Sequence, residues 1–343
     1  MKALVLSEYK KLDIVDMPKP LPGDDDLLIR VRACGICGSD VHGYDGSTGR
    51  RLPPIVMGHE AAGIVEAVGS AVKGFVPGDR VTFDSTVYCG RCFYCRRGLV
   101  NLCDYREVIG VSTSDFRRMG AFAEYVAVPA RIAYALPDNM PFAYAALIEA
   151  VSVAVHAISL TPITLEDTVV VVGAGMIGLL TLQAASLAGA GRVLVIDVDD
   201  KRLELARSLG ASDTLNSTNC DPVSEIRNLT AGRGADIALD CVGIAPTVNL
   251  AIEAVRKGGM VTLVGNIAPR VEIGLQSTVT RQIRLQGSCA SSGEYPACIS
   301  LISRGEISVE PLLSAVVPLD EGAAWFRRLY EHESGLLKVV LQP

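Results

Sequence analysis

The chain has 343 residues, 49% of them hydrophobic and 20% charged, with a formal net charge of −6. This length suggests about two domains, each able to bury a core. The apolar fraction excludes a disordered chain, and an acidic balance without a basic block argues against a nucleic-acid partner. The first ten residues contain no apolar region long enough for a signal peptide. Ten cysteines without such a signal favour metal ligands or reactive thiols over disulfides, so we expect a cytoplasmic protein.

Short β-like segments separated by turns make up the first 150 residues. They are Leu27–Arg32, Ala62–Val68, Arg80–Phe83 and Ala121–Val128. Glycine and proline cluster between them, as in Pro20–Asp26. This pattern predicts an irregular, β-rich domain over residues 1–151.

Strands and helices alternate in the second half of the chain. The predicted strands are Thr168–Val172, Arg192–Asp197, Asp236–Asp240 and Met260–Val264, and the predicted helices are Met176–Ala188, Asp199–Leu209 and Pro246–Lys257. Such alternation indicates βαβ units, so we predict an α/β domain with a parallel sheet over residues 152–290. The alternation is lost after residue 290, and the chain closes on an apolar strand, Leu336–Leu341. We expect the segment 291–343 to return to the first domain.

One stretch, Val169–Gly191, is apolar enough to be considered as a membrane span. Its five glycines and its change of periodicity favour a buried strand, a turn and a helix instead. We therefore predict no association with a membrane.

A glycine motif follows the first predicted strand of the second half. Gly173-Ala-Gly175-Met-Ile-Gly178 comes directly after the β-branched run, and a helix begins inside it. In a dinucleotide-binding loop, the three glycines allow the tight turn, the close approach of a pyrophosphate and helix–strand packing, in that order. The phosphates then lie at a helix N-terminus, where the amide groups and the dipole favour anions. The alternative is a glycine-rich turn of an ordinary α/β core.

Asp197 lies 19 residues beyond Gly178, at the end of the next predicted strand. An acid there binds the ribose hydroxyls and repels a 2′-phosphate, which favours NAD over NADP. Arg202 would oppose that preference if it turned towards the phosphate. The remaining candidate cofactor-binding residues are Met176, Ile177, Val242, Val264 and Gly265.

Four cysteines form a C-x₂-C-x₂-C-x₇-C pattern in a turn-rich stretch, which we call the cysteine lobe (about 86–106). They are Cys89, Cys92, Cys95 and Cys103. Four thiolates at this spacing can close a tetrahedral Zn²⁺ site, which leaves no open position for chemistry. The alternatives are an iron–sulfur cluster, whose runs share the first spacings but continue to a Cys-Pro, and unmetallated thiols.

A second constellation lies upstream, in the turns around Cys34-Gly-Ile-Cys37 and Gly58-His59-Glu60. The first motif invites a redox interpretation, but it does not open a helix within a thioredoxin-like βαβ unit. A cysteine, a histidine and a carboxylate in glycine-lined turns instead suggest an open metal site. A lone histidine would more often be a core residue, but two of the four histidines fall in this region.

Together these motifs resemble the zinc-dependent medium-chain dehydrogenase family, in its branch of polyol (sorbitol-type), threonine and butanediol dehydrogenases. The resemblance covers nearly the whole chain and is specific for the family rather than for the substrate. It is carried by GICGSDVH at 35–42, GHE at 58–60, GDRV at 78–81, the cysteine lobe, FAEYVAVP at 122–129 and GAGMIG at 173–178. The fold it implies is a Rossmann, doubly wound parallel sheet plus a β-rich, GroES-like catalytic domain.

The resemblance also implies roles for particular residues. Cys37 and His59 would bind a catalytic zinc together with Glu60, which a catalytic glutamate matching Glu149 in Leu147-Ile-Glu-Ala sometimes replaces or joins. Ser39 and His42 match a proton-relay hydroxyl and histidine. In the same turn, Asp40 resembles an acid that orients a metal ligand.

The chemistry implied is oxidation of a polyol or related secondary alcohol by NAD, with two zinc ions per chain. Zn²⁺ lowers the pKa of a bound hydroxyl, and the released proton would leave through Ser39, the ribose of the cofactor and His42. An imidazole that titrates near pH 6.5 suits such a relay. The resemblance further implies a small-molecule alcohol substrate and a homodimer or homotetramer.

Two departures from the sorbitol-type pattern weaken the assignment to sorbitol itself. Cys289-Ala290-Ser291 stands where those enzymes have an arginine for substrate hydroxyls, and Gly43 replaces an aromatic residue that Tyr44 could substitute. A polyol-phosphate dehydrogenase is an alternative, because Arg50-Arg51 could meet a phosphate, although such pairs are more often solvated loop charges. Two further hypotheses are a non-catalytic NAD-binding sensor and an NAD enzyme whose zinc is only structural.

Overall fold

The computed structural model describes all residues, 1–343, and the chain divides into two compact units. The first unit comprises Met1–Glu149, Ser292–Gly305 and Val309–Pro343, and the second comprises Ala150–Ser291 and Glu306–Ser308. Three residues of the tail thus group with the second unit. One of them, Ser308, is bonded to the side-chain amide of Gln183, which donates to the Ser308 carbonyl oxygen at 3.1 Å and accepts from its N–H at 2.7 Å.

The elements are numbered in chain order. The strands are β1 Lys2–Glu8, β2 Lys11–Asp16, β3 Asp26–Gly35, β4 Ile55–Val56, β5 Glu60–Val68, β6 Arg80–Phe83, β7 Thr86–Val87, β8 Glu107–Val108, β9 Tyr125–Pro129, β10 Ala133–Ala135, β11 Thr168–Val172, β12 Arg192–Asp197, β13 Asp213–Asn216, β14 Ala235–Asp240, β15 Val255–Leu263, β16 Arg284–Gly287, β17 Leu313–Pro318 and β18 Lys338–Gln342. The helices are α1 Gly38–Gly43, α2 Phe142–Ala145, α3 Ile148–Ser159, α4 Met176–Leu187, α5 Asp200–Ser208, α6 Pro222–Leu229, α7 Ala245–Ala254, α8 Leu275–Thr280, α9 Tyr295–Ser303 and α10 Gly322–Tyr330.

The first unit is built on a seven-stranded sheet in the order β10-β6-β5-β3-β18-β17, with β9 also paired to β3. A three-stranded sheet, β2-β1-β4, packs beside it around Phe83, Phe122 and Phe326, which are fully buried. Strand β3 pairs with both β5 and β18, so Gly35 lies opposite Glu60 and next to Val340. The end of β3 therefore meets the start of β5 and the C-terminal strand at one place.

The second unit is a six-stranded, wholly parallel sheet in the order β13-β12-β11-β14-β15-β16. Its central strand β11 is a run of buried valines, as expected for a strand covered by helices on both faces. The strand order reverses between β11 and β14, which is where ligands bind in doubly wound folds. The predicted doubly wound parallel sheet is confirmed.

Several element boundaries differ from the prediction by a few residues, and two of the differences have a clear cause in the hydrogen bonds. Residues 121–124 form bends with an isolated bridge from Ala123 to Ala3 and precede β9, because they bond to other partners: Ala121 N–H donates to the Gly58 oxygen, and the Phe122 oxygen accepts from Leu4 N–H. The helix predicted to reach Lys257 ends at Ala254, since Val255 already pairs with β14.

The apolar stretch Val169–Gly191 contains β11 and the twelve-residue helix α4, as the glycines indicate. Another stretch, Phe142–Ser159, has the length and hydropathy of a membrane span, with a mean hydropathy of 1.6. Because 56% of that stretch is buried inside the protein, core packing accounts for its composition.

Candidate metal and cofactor sites

Cys37, His59 and Glu60 meet in the first unit, where β3 ends and β5 begins. One ligand atom of each lies within 4.8 Å of the others. His59 and Glu60 are buried, and Cys37 is partly buried at the N-cap of α1, where its sulfur accepts from the Ser39 N–H at 3.4 Å. A Cβ at position 35 would lie 2.2 Å from Glu60 Oε2, so Gly35 leaves space for this carboxylate. One thiol, one imidazole and one carboxylate fit a zinc site that keeps a fourth position open.

Asp40 lies beneath His59 and is fully buried. Its Oδ1 is 3.4 Å from His59 Nδ1 and accepts from Arg51 Nη2 at 2.8 Å. Burial alone would raise the pKa of Asp40, but the charges of His59 and Arg51 hold that pKa well below its usual range. The carboxylate is therefore ionised and aimed at the ring nitrogen that orients His59.

Ser39 and His42 both lie on α1 and are exposed. Ser39 Oγ is 3.5 Å from His59 Nε2, so the structure brings this hydroxyl to the metal-ligand cluster. His42 lies one turn further along α1, and its carbonyl oxygen accepts from Ser47 Oγ at 3.0 Å. The ring of His42 makes no direct contact with Ser39 or with the metal-ligand cluster.

The cysteine lobe brings its four sulfurs within 4.8 Å of one another. Backbone N–H groups of the lobe itself donate to these sulfurs at 3.3–3.5 Å: those of Arg91 and Cys92 to Cys89, of Cys95 to Cys92, and of Cys89 and Tyr105 to Cys103. The Cys95 N–H is the main cause that lowers the pKa of Cys92 to about 6. The set fits a closed zinc site, since thiolates are the form that binds the metal.

The glycine loop lies in the second unit between β11 and α4. Gly173 has φ +97°, and a Cβ on Gly178 would lie 1.7 Å from the Gly173 oxygen, so both positions require glycine. Asp197 ends β12, and its carboxylate accepts from the N–H groups of Ala174 at 2.6 Å and Val198 at 2.8 Å. The loop and the acid are thus held together, with the N-terminus of α4 open to a pyrophosphate.

Val242, Val264 and Gly265 lie beside this loop, whereas Arg202 is exposed on α5. Val264 and Gly265 both donate to the Asp240 oxygen at 2.9 Å, and a Cβ on Gly173 would lie 2.5 Å from a methyl group of Val242. The structure therefore gathers these candidates around the glycine turn at the carboxyl ends of β14 and β15.

Sequence comparisons agree with this geometry. The alcohol dehydrogenase GroES-like domain matches residues 23–138, and the zinc-binding dehydrogenase domain matches residues 177–304. L-idonate 5-dehydrogenase of Vitis vinifera is 37% identical over 89% of this chain and 84% of its own length. Sorbitol dehydrogenase of Bacillus subtilis (strain 168) is 33% identical over 100% of this chain and 97% of its own.

The chain belongs to the zinc-dependent medium-chain dehydrogenase family. The fold agrees over its whole length with a protein of Sinorhizobium meliloti 1021 described as a zinc-binding dehydrogenase and solved with NADP: the TM-score is 0.92 at 34% identity, covering 100% of this chain and 99% of the other. The first unit carries the GroES-like domain and the second the Rossmann domain of this family. The protein is thus an oxidoreductase that uses zinc and NAD(P), as its motifs predict.

Of the two glutamates considered for the zinc of this dehydrogenase, only Glu60 joins the three-residue cluster. Glu149 lies in the first turn of α3 and is partly buried. Burial, with smaller contributions from Glu60 and Asp84, raises its pKa to about 7, although His59 and Lys338 act in the opposite direction. Glu149 is therefore near enough to feel the cluster electrostatically but lies outside the grouped ligand atoms.

Lys338 is a residue of this dehydrogenase site that the sequence motifs do not reveal. Its ammonium group donates to both oxygens of Glu60, at 2.8 and 2.6 Å, and to the Ile36 carbonyl at 3.0 Å, and its side chain is 3% exposed. The one signal in the sequence is a single charge inside the apolar run Leu336–Leu341, because a lysine is rarely buried without a partner.

The suggested phosphate site at Arg50-Arg51 is wrong for Arg51. Its guanidinium is buried against Asp40 with a side-chain exposure of 4%, so a ligand in solution cannot reach it. Tyr44 also does not replace the aromatic residue absent at Gly43. It is buried in the core against Phe326 and Tyr330, with ring centroids 6.0 and 5.4 Å away.

Proposed function

We propose that this dehydrogenase oxidises a polyol or a related secondary alcohol with NAD, binding the reacting oxygen at the Cys37–His59–Glu60 site. The proposal is carried by one observation, the meeting of a thiol, an imidazole and a carboxylate in a set that leaves a metal position open. It is supported by the two relatives that carry the names of an idonate and a sorbitol dehydrogenase.

Zinc, when bound there, supplies a Lewis acid that lowers the pKa of an alcohol hydroxyl. Cys37, His59 and Glu60 would hold the ion, and the Asp40 carboxylate lies 3.4 Å from Nδ1 of His59 as its counter-charge. We assign Ser39 the role of accepting the proton of the alcohol, supported by its 3.5 Å distance to His59 Nε2. His42, exposed at the other end of α1, is assigned the release of that proton to solvent.

The substrate class is tested by absorbance at 340 nm with NAD over a panel of polyols, polyol phosphates and diols. We expect turnover of at least one non-phosphorylated polyol or diol, and its loss when zinc is removed and return when zinc is restored. Turnover confined to polyol phosphates would overturn the substrate assignment. Full turnover without metal at the first-unit site would overturn the mechanism.

NAD is assigned as the preferred cofactor because the Asp197 carboxylate stands where the ribose hydroxyls bind, and its charge repels a 2′-phosphate. Replacing this residue, Asp197→Ala, should weaken the use of NAD and raise the use of NADP. Arg202→Ala is the matched control, since this exposed arginine is the nearby cation that could favour a 2′-phosphate. Measured kcat/KM for both cofactors that does not change in Asp197→Ala would contradict the assignment.

We assign a structural zinc to the cysteine lobe, supported by four converging sulfurs and their backbone donors. Elemental analysis of the purified protein should give two zinc ions per chain. Iron with acid-labile sulfide would indicate a cluster, and one zinc per chain would remove one of the two sites.

We also propose that the protein is a cytoplasmic homodimer or homotetramer. The oligomer is supported by β16, which is an edge strand of the parallel sheet. Two apolar side chains are exposed in this part of the chain: Leu285 of β16 is 38% exposed, and Val279 of α8 is 67% exposed. A cytoplasmic location is supported by ten cysteines of which none is in a disulfide. Light scattering coupled to size exclusion tests the oligomer, and a monomer at micromolar concentration would contradict it.

A further inference from the structure

Arg51 is a buried cation in the layer directly behind the proposed catalytic metal site. This residue is 3% exposed, and the segment around it is held to Ser112 by the residues on either side: Leu52 N–H donates to the Ser112 oxygen, and Ser112 N–H donates to the Arg50 oxygen. The guanidinium group makes three hydrogen bonds to Asp40 and Ser39. Nε and Nη2 donate to Asp40 Oδ1 at 3.1 and 2.8 Å, and Nη2 also donates to Ser39 Oγ at 3.3 Å. Arg51 therefore joins the acid behind His59 to the hydroxyl in front of it.

Gly43 makes this position of Arg51 possible. A Cβ on Gly43 would lie 2.4 Å from Arg51 Cγ and 3.2 Å from its Cβ. Gly43 has no positive φ, so the constraint is the arginine stem rather than the backbone. The missing side chain at 43 and the buried arginine at 51 are thus two parts of one arrangement.

The contact with Ser39 limits what its hydroxyl can do. A serine hydroxyl has one proton to donate and two lone pairs to accept with. When Arg51 Nη2 occupies one lone pair, one acceptor and one donor remain. The hydroxyl can then accept a proton from one side only while it donates its own proton to the other, which is the arrangement a relay needs.

We propose that Arg51 is a positioning residue, whose planar guanidinium holds Asp40 and the Ser39 hydroxyl together so that the free lone pair and the O–H of Ser39 keep fixed orientations for proton transfer. The inference rests on the proposed function, in which Ser39 accepts the proton of the alcohol. The proton balance is complete: Ser39 Oγ gains one proton on its free lone pair and releases its own to the next acceptor. The role of Arg51 is to fix the orientation, and it neither gains nor loses a proton.

A purely electrostatic role, in which Arg51 only neutralises Asp40, makes a different prediction for lysine. Lysine keeps the charge but offers a point donor on a flexible stem, so it cannot hold two acceptors in a rigid fork. If Arg51 acts only through its charge, Arg51→Lys should keep the kcat of the parent. If Arg51 acts by holding two acceptors in place, Arg51→Lys should lower kcat.

The experiment compares Arg51→Lys with Arg50→Lys, the same change at the neighbouring exposed residue. Both are assayed on the best non-phosphorylated alcohol for kcat, KM and the solvent deuterium isotope effect, together with zinc per chain and Tm. For Arg51→Lys we expect two zinc ions, a KM within about twofold of the parent, a kcat lowered about tenfold and a larger isotope effect. Arg50→Lys should match the parent in every measurement.

A kcat within twofold of the parent in Arg51→Lys would overturn the proposal in favour of simple charge neutralisation. Loss of zinc from the first-unit site in that variant would also overturn it, because Arg51 would then hold the ligands rather than the hydroxyl. Failure of the proposed function looks different, since the parent protein itself would show no alcohol turnover.

A second variant displaces Arg51 without removing it. Gly43→Ala should lower kcat about fivefold with the same pattern of retained zinc and KM, because the added Cβ meets the Arg51 stem. The cobalt-substituted proteins give a readout independent of turnover. Since the ligands keep their places, the visible absorption of Co²⁺ at the first-unit site should be the same in Gly43→Ala, Arg51→Lys and the parent. A shifted cobalt spectrum in either variant would assign the effect to the metal ligands and overturn the proposal.

Discussion

The two cysteine-containing clusters of this dehydrogenase are built in opposite ways. The cysteine lobe takes all four ligands from residues 89–103, and its own backbone N–H groups donate to the sulfurs. The Cys37–His59–Glu60 cluster takes its ligands from two strand ends and its counter-charges from Arg51 and Lys338. The first site is built from one short segment, and the second is assembled from distant segments.

The two clusters differ in which groups of the protein contact their charged ligands. The lobe sulfurs accept hydrogen bonds from backbone N–H groups, whereas the buried carboxylates Asp40 and Glu60 of the other site are paired with the cations Arg51 and Lys338. Buried charges need such partners because the interior solvates them poorly. Three protein ligands at the Cys37–His59–Glu60 cluster leave the fourth position of a tetrahedral zinc open to substrate, whereas four thiolates close the coordination of the metal.

The largest expected effect is on activity when the open site loses its metal. A Lewis acid contributes several kcal/mol to alcohol oxidation, so Cys37→Ser should lower kcat/KM about a thousandfold while leaving Tm almost unchanged. Cys92→Ser should instead lower Tm strongly and leave kcat/KM almost unchanged. A chelator titration checks the same contrast, since activity should disappear at lower doses than the fold. Simultaneous loss of both at every dose would refute two distinct sites.

The next effect is on stability, through the buried pair of Lys338 and Glu60. Lys338→Met leaves Glu60 charged and unpaired, which should lower the free energy of unfolding by about 3–5 kcal/mol in urea. The loss should be smaller in the zinc-loaded protein, because ligation offers Glu60 another positive partner.

The matched control for this pair is Lys2→Met, which breaks the exposed contact with Asp320, where both side chains are more than half exposed. It should cost less than about 1 kcal/mol. Equal costs for the two variants would mean that the Glu60 pair is effectively solvated.

The relay residues should show smaller, graded effects on rate. Ser39→Ala removes the hydroxyl beside His59 and should lower kcat about a hundredfold, whereas His42→Ala, whose site is open to water, should lower it about tenfold. The control is Ser70→Ala, which removes an exposed hydroxyl that donates to Asp24 and is distant in sequence from Ser39. Full activity of Ser39→Ala near neutral pH would remove the relay from the mechanism.

The last effect is a change in the pH dependence of stability caused by Glu149. Its pKa is about 7 in the folded protein and about 4.3 in an unfolded chain. Between these values the folded state binds more protons than the unfolded state, so this group makes stability fall as pH rises from about 4.3 to 7.

Glu149→Gln should remove that contribution, so the variant gains Tm relative to the parent as pH rises from 5 to 8. Glu8→Gln, at a side chain that is 76% exposed, serves as the control and should follow the parent. A parallel pH dependence for Glu149→Gln and the parent would show that Glu149 titrates as it does in the unfolded chain.

Local features of this protein were readable from the sequence. The parallel sheet follows from alternating strands and helices, and the family follows from the glycine loop and the cysteine spacing. The four cysteines lie so close in sequence that turns alone bring them together. The glycine turn is equally local, since a Cβ on Gly178 would clash with the Gly173 oxygen five residues away.

Only the tertiary structure determined which charged side chains pair with one another in the interior. The sequence left open whether Glu149 replaces or joins Glu60 at the metal, and the pairing of β3 with β5 brings Glu60 to Cys37 and His59. The partners Lys338 and Arg51 were missed or misjudged, because the spacing of residues does not reveal which distant cation a buried carboxylate will meet. Charge pairing in the interior depends on strand register across the whole chain, whereas turn and metal-ligand motifs depend on a few neighbouring residues.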